Sequence, residues 1–372
     1  MRSYAILFLT FLLISCKPVN TLAPVDDKAT IETKNLYKNL SAMASNKTMF
    51  GHQDDLAYGV GWQYEDGRSD VLETAGSLPA VFGWDIGAIG LGHSVNLDSV
   101  PFHLMRKYII DVFEKGGINT VSWHIYNPVT KKDSWADTEE PNPAVSQIIS
   151  EGEYQEEYIE MLDRAADFFL SLKTADGKLV PVVFRPFHEN NGDWFWWGAK
   201  HCTPLEYQQL FQFTVDYLRN IRKVHNLLYA YSPDRQFDDE EEYLERYPGD
   251  RYIDIIGTDN YWDFRPEGDG IEAISDKLEI VTRLANKKLK VAAFTETGLE
   301  AIPDTNWWTG QLLPAISNSN YRIEIAWIMV WRNFSKNHHY APYPGHPSVE
   351  DFRNFKQTEE ILFLDEVTGL YE

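Results

Sequence analysis

The chain has 372 residues, an unusually aromatic composition with 12 Trp, 20 Tyr and 20 Phe, and a formal net charge of −22. That balance excludes the basic footprint of a nucleic-acid binder and electrostatic docking on an anionic lipid surface. It leaves room for an uncharged ligand held on flat aromatic surfaces beside a few polar groups.

In chain order, the first feature is an export signal. Arg2 supplies a positive n-region, and residues 5–14 form an apolar core too short to span a bilayer as a mature anchor. Leu13-Ile14-Ser15-Cys16 resembles a bacterial lipobox, in which cleavage precedes Cys16 and its thiol is lipidated. The expected organisation is a signal peptide over 1–15, a lipidated N-terminus and polar tether over 16–30, and one folded domain over 31–372. Lys17-Pro18-Val19-Asn20 carries no acidic cluster of the surface-display kind, so an exported, membrane-anchored protein facing the periplasm is expected. Cys202 is the only other cysteine, so the fold is expected to need no disulfide despite export.

Beyond the tether, short β-branched and aromatic runs alternate with longer helical patterns. Strands are expected at 48–51, 79–84, 118–123, 179–184, 227–231, 253–257, 290–294 and 323–331. Val180-Pro181-Val182-Val183-Phe184 and Val291-Ala292-Ala293-Phe294 are nearly unbroken apolar runs, as parallel strands covered on both faces require. Tyr154, Tyr158, Met161, Leu162, Ala165, Phe168, Phe169 and Leu172 recur at helical spacing before the fourth strand. Thr203-Pro204-Leu205-Glu206 reads as a capping box opening a helix through Arg222, and 271–288 as another helix. This alternation predicts an α/β fold, a single (β/α)8 TIM barrel. An open doubly wound sheet would carry a Gly-x-Gly-x-x-Gly turn after its first strand, and none is present. The same absence argues against a nucleotide-dependent oxidoreductase.

Catalysis in a barrel is built just past the C-terminal ends of its strands. Those ends read His52-Gln53-Asp54, Asp85, His124, Arg185-Pro186-Phe187-His188-Glu189-Asn190, then Ser232 and Asp234, Asp259-Asn260-Tyr261-Trp262, Thr295-Glu296-Thr297 and Trp331-Arg332. Glu189 and Glu296 follow strands four and seven and would face each other across the mouth. Retaining glycoside hydrolysis needs such a pair about 5–5.5 Å apart, one attacking and one protonating the leaving oxygen. Arg185 and Tyr261 stand where they favour an ionised Glu296, and the aromatic cluster 194–197 where it desolvates Glu189. His52, His124 and His188 have no metal-ligand spacing and no cysteine partner, so neither metal nor cofactor is expected.

Arg185-Pro186-Phe187-His188-Glu189-Asn190-Asn191-Gly192-Asp193-Trp194-Phe195-Trp196-Trp197-Gly198 closely resembles the acid/base signature of glycoside hydrolase family 26, within the clan of retaining (β/α)8 enzymes. The histidine before the glutamate is characteristic of that family, where most of the clan has asparagine. Phe294-Thr295-Glu296-Thr297-Gly298 resembles its nucleophile strand, Trp123-His124 its strand-three histidine, and Asn260-Tyr261-Trp262 its strand-six tyrosine. The resemblance runs from about residue 46 to the C-terminus. It implies Glu189 as acid/base and Glu296 as nucleophile. It also implies a sugar subsite on the non-reducing side of the cut, lined by His188, Trp194, Tyr261 and Trp331, with Arg185 and His124 as further binding residues.

The expected activity is that of a mannan endo-1,4-β-mannosidase acting on mannan, glucomannan, galactomannan or their oligosaccharides. The resemblance also permits a mixed-linkage β-glucanase or a β-1,3-xylanase. An inactive sugar-binding lipoprotein would have lost one carboxylate, and both are present. Residues 127–152 and 332–356 are long for barrel loops; if they wall off one end of the cleft, cutting is biased toward chain ends and mannobiose. A monomer, membrane-attached through its lipid alone, is expected.

Overall fold

The structure, a computed structural model, describes residues 22–136 and 140–372; the expected signal peptide and Cys16 lie outside the described residues. Eight strands run β1 (Thr48–Gln53), β2 (Val81–Asp85), β3 (Ile118–Trp123), β4 (Val182–Pro186), β5 (Leu227–Tyr231), β6 (Ile255–Asn260), β7 (Val291–Thr297) and β8 (Trp327–Val330). Each pairs in parallel with the next, and β8 closes on β1 with Phe50 opposite Ile328 and His52 opposite Val330. A two-residue strand, Ile361–Leu362, adds to the start of β1. The chain is therefore a (β/α)8 barrel, as the alternating pattern predicts.

Alternation along each strand divides the core in two. One cluster collects Met49, Val81, Ile118, Val183, Leu228, Ile255, Val291 and Trp327, one from each strand. The intervening residues Phe50, Phe82, Val121, Phe184, Tyr229, Ile256, Phe294 and Ile328 pack with the surrounding helices. Further along the strands, Gln53, Asp85, Ser122, Arg185, Ser232 and Asp259 are all buried. The barrel thus turns from apolar to polar toward its C-terminal mouth.

Helix α1 (Ile31–Ala44) is capped by the Thr30 side chain and contributes Leu36, Tyr37 and Leu40 to the first cluster. It lies at the opposite end of the barrel from the polar mouth. Part of the segment assigned by composition to the tether is docked there too: the Val25 amide donates to Asp254 at 2.7 Å, and Asp26 pairs with His225 at 2.7 Å. The expected helices recur as α2 (Gln155–Ser171), α3 (Pro204–Asp216) and α4 (Ile271–Lys288). The Thr203–Glu206 capping box opens α3, which passes into a π-helical turn, Tyr217–Ile221. No helix among the described residues is long and apolar enough to cross a membrane.

One irregularity bears on the site. Thr258 pairs with Phe294, but Asp259 pairs with Glu296; on the other side Ile328 pairs with Phe294 and Val330 with Thr297. Both neighbours therefore see one extra residue in β7 just before Glu296. Such a bulge re-aims a side chain at a barrel rim.

Candidate active site

Glu189 stands on a strained turn. Phe187 (φ 54°) and Glu189 (φ 52°) both adopt left-handed backbone, which costs a non-glycine residue on the order of 1–3 kcal/mol and persists only where the surroundings impose it. Here they do. Phe187 is buried among Trp196, Trp197, Tyr207 and Phe211. The Tyr207 hydroxyl donates to the Phe187 carbonyl and the Trp197 indole to the His188 carbonyl, both at 2.9 Å. The Glu189 amide donates to the Ser232 carbonyl at 2.8 Å. The chain then folds back at Gly192, where a Cβ would sit 2.3 Å from the Trp194 ring, and the Trp194 indole donates to Glu189 Oε2 at 2.8 Å.

Burial raises the Glu189 carboxyl well above the ordinary range, reinforced by the like charges of Asp259, Glu296 and Asp234; the Trp194 N–H pulls the other way. The rise by burial has the direction expected of the aromatic cluster, whose members differ in their contacts. Trp194 alone of the four donates to Glu189, while Phe195, Trp196 and Trp197 are core residues that shape the turn.

Glu296, inside β7, is held at both oxygens. Arg185 bonds Oε1, and the Tyr261 hydroxyl donates to Oε2 at 3.0 Å. Arg185 has no exposed surface; its other terminal nitrogen bonds Asp259 at 2.6 Å and Ser232 at 3.0 Å. Desolvation opposes the guanidinium charge, but Asp259 and Glu296 outweigh it and raise the Arg185 pKa. Burial, then the Glu296 charge, raises the Tyr261 phenol and keeps it a donor. One oxygen from each of Glu189, Asp259 and Glu296 falls within 4.8 Å of the others. Three carboxylates so close would suit a cation, and the guanidinium bonded to two of them supplies it.

A histidine pair forms the next wall. Asp85 Oδ2 accepts from the Ser122 hydroxyl at 2.8 Å and from the His124 amide at 3.0 Å, and lies 2.8 Å from His124 Nδ1. His124 Nε2 lies 3.2 Å from His188 Nε2. Burial and then Arg185 push the His188 pKa well down, whereas Asp85 overcomes burial to raise that of His124. His188 Nδ1 is buried and has no partner among the described residues. Trp331, half-buried, has its ring 6.1 Å from that of His124.

The structure thus brings Glu189, Glu296, His124, Arg185, His188, Trp194, Tyr261 and Trp331 to one rim. His52 is not among them: it is buried in a pair with Asp55 at 2.7 Å. Sequence reasoning placed Asp85 and Asp259 at strand ends but gave them no role; their position one strand from His124 and two strands from Arg185 was the available signal. Two carboxylates this close, one raised by burial and one held by a cation and a phenol, have the asymmetry that retaining glycoside hydrolysis requires.

Comparison with known proteins agrees. The glycosyl hydrolase family 26 profile matches residues 25–345. A mannan endo-1,4-β-mannosidase from Bifidobacterium adolescentis is 33% identical over 368 residues, spanning 92% of this chain but only 36% of that protein's length. One from Bacillus subtilis is 29% identical, over 70% of this chain and 72% of its own. The solved structure of a GH26 β-mannanase from Bacteroides ovatus superposes with a TM-score of 0.87 at 46% identity, covering 92% of this chain and 98% of that one. The chain belongs to glycosyl hydrolase family 26.

Proposed function

We propose that this protein is a retaining β-mannan hydrolase in which Glu296 is the nucleophile and Glu189 the acid/base. The observation that carries the reading is the placement of two facing carboxylates within 4.8 Å in opposite environments. Glu296 attacks the anomeric carbon while Glu189, protonated, gives its proton to the departing glycosidic oxygen. Glu189 then takes a proton from water, which releases the sugar from Glu296 with its configuration retained. Arg185 and Tyr261 orient the nucleophile; His124, with the buried His188 behind it, and the faces of Trp194 and Trp331 bind the sugar at the cut.

β-Mannan as substrate is supported by the names of the relatives: two mannan endo-1,4-β-mannosidases and a GH26 β-mannanase. A bias toward chain ends and mannobiose is supported by the β8 loop. It is tied to the β2 loop through Arg332 and Asp98 at 2.5 Å, and to the β7 loop through His338 and Glu300 at 2.6 Å. The lipobox supports anchoring through Cys16 with residues 1–15 removed, and the absence of acidic residues over 17–20 supports a periplasmic face. The testing experiment is product chromatography over time on mannan, glucomannan, galactomannan and mixed-linkage glucan. Mannan-type substrates should be turned over fastest, with mannobiose dominant early. Faster turnover of mixed-linkage glucan overturns the substrate, and early long oligosaccharides overturn the chain-end bias.

A further inference from the structure

The chain enters the barrel at the face opposite the polar mouth. Leu22 packs against the apolar cluster formed by the starts of the strands. The residues after it are bonded down in turn. The Val25 amide donates to Asp254 at 2.7 Å, the Val25 carbonyl accepts from Arg219 at 3.3 Å, and the Thr30 amide donates to the His225 carbonyl at 2.9 Å. Asp254 ties this segment to the sheet, because its other oxygen accepts from the Tyr229 amide of β5 at 2.9 Å. Leu22 follows Cys16 by six positions, and six residues reach at most about 20 Å even when fully extended. A lipid on Cys16 would therefore bring this face, not the mouth, nearest the bilayer.

The same face carries a basic sector, in a chain whose net charge is −22. On the turns into β4, β5 and β6, Lys173, Lys223 and Arg251 are exposed with no ion-pair partner among the described residues, as is Lys28 on the docked segment. The acids beside them are mostly neutralised. Asp176 faces Lys178 at 3.5 Å, Asp250 faces Lys288 at 3.0 Å and Asp26 faces His225 at 2.7 Å, which leaves Asp27. These turns form one surface: Arg219 donates to the carbonyls of both Val25 and Arg251, and the Asn226 side chain donates to the Val180 carbonyl at 2.8 Å. Ile31 and Ile221, from the two segments joined by the Thr30–His225 bond, are 63% and 64% exposed. Exposed aliphatic side chains among unpaired cations suit a surface of anionic headgroups over apolar chains. The acidity of the whole chain prevents docking by charge alone. A tethered protein needs only to choose a face, and a short tether keeps the lipid at high local concentration.

We propose that the barrel face around the docked N-terminal segment lies against anionic lipid headgroups of the membrane that holds the anchor. Lys28, Lys173, Lys223 and Arg251 meet the headgroups, and the polar mouth points away from the bilayer. Oligosaccharides then reach the cleft without passing the lipid surface. The proposal rests on the reading of Cys16 as a lipid anchor.

The experiment uses the lipidated protein, extracted from membranes and reconstituted in vesicles of phosphatidylcholine alone or with about 30% phosphatidylglycerol, each carrying a headgroup-attached quencher. A fluorophore is attached at Ala175→Cys, on the turn into β4, or at Glu267→Cys, on the loop after β6; both positions are exposed. Cys202 is buried, so the dye takes the introduced thiol. Quenching should be several-fold stronger at the first site than at the second, and stronger at the first site with phosphatidylglycerol than without. Lys173→Glu, Lys223→Glu and Arg251→Glu combined should remove that lipid dependence, as should added salt, while kcat/KM on mannotetraose keeps its wild-type value. Equal quenching at the two sites, or stronger quenching at Glu267→Cys, overturns the proposal, as does a lipid dependence that survives the triple substitution. Quenching at Ala175→Cys that rises with protein density rather than with lipid charge would seat a second copy on this face and equally overturns it. A wild-type chain that mass spectrometry shows to carry no lipid overturns the anchoring reading instead, so the two failures are distinct.

Discussion

The Tyr261 hydroxyl sits 3.0 Å from Glu296 Oε2, on the oxygen that Arg185 leaves free. The Glu296 carboxylate, the proposed nucleophile, is therefore held at both oxygens before substrate arrives. Tyr261→Phe removes one donor and leaves the ring packed edge-on to Tyr340 at 5.7 Å. Loss of one preorganised donor at the reacting carboxylate should lower kcat by about 10²-fold with KM little changed. Steady-state kinetics on mannotetraose checks this; a raised KM at unchanged kcat would assign Tyr261 to uniform binding.

Arg185→Met should be severe for stability as well as for activity. It strands Asp259 and Glu296 as buried carboxylates without their shared counter-ion. Breaking such a buried pair costs about 3–5 kcal/mol. Urea unfolding should show a midpoint well below wild type, and a wild-type midpoint would contradict the clamp.

The third prediction concerns pH. Glu189 must be protonated to act as the acid, and burial, then Asp259 and Glu296, raises its pKa. Activity should therefore fall as pH rises through that elevated value. The Trp194 N–H favours the ionised form, so Trp194→Phe, which keeps aromatic cover without the donor, should move the alkaline limb of kcat/KM to higher pH. A limb that stays or moves toward acid would show that the donor does not set the acid's pKa.

The proposed anchoring rests on the Cys16 thiol. Cys16→Ala should abolish labelling by a radioactive fatty acid and release the protein from the membrane fraction. Continued membrane partition without label would remove the lipoprotein reading.

Much of this architecture was legible because strand periodicity and strand-end chemistry are local. Ile118–Trp123 and Leu227–Tyr231 match the expected strands at both ends. Glu189 and Glu296 stood out because carboxylates follow runs too apolar to serve solubility. What escaped was set by tertiary contact. β6 and β7 run on through Asn260 and Thr297, so Asp259 and Glu296 lie inside strands rather than past them. The extra residue in β7 exists only relative to its neighbours. The cluster 194–197 looked like one surface, but its aromatic residues divide between the core and the site. Residues 25–30 read as polar tether because Asp26 and Asp27 say nothing locally of His225 and Asp254, to which that segment is bonded.

The central claim is the division of labour between two carboxylates, and the stereochemistry of azide rescue tests it most directly. Glu189→Ala and Glu296→Ala should each slow turnover of mannan by several orders of magnitude. On an activated aryl β-mannoside, Glu189→Ala still forms the glycosyl-enzyme, and azide attacks it to give the β-mannosyl azide. In Glu296→Ala, azide takes the place of the missing nucleophile and gives the α-azide. NMR assignment of the two anomers should show β from the first variant and α from the second. Swapped anomers would exchange the two roles, and a wild-type product released first as the α-anomer would contradict retention itself.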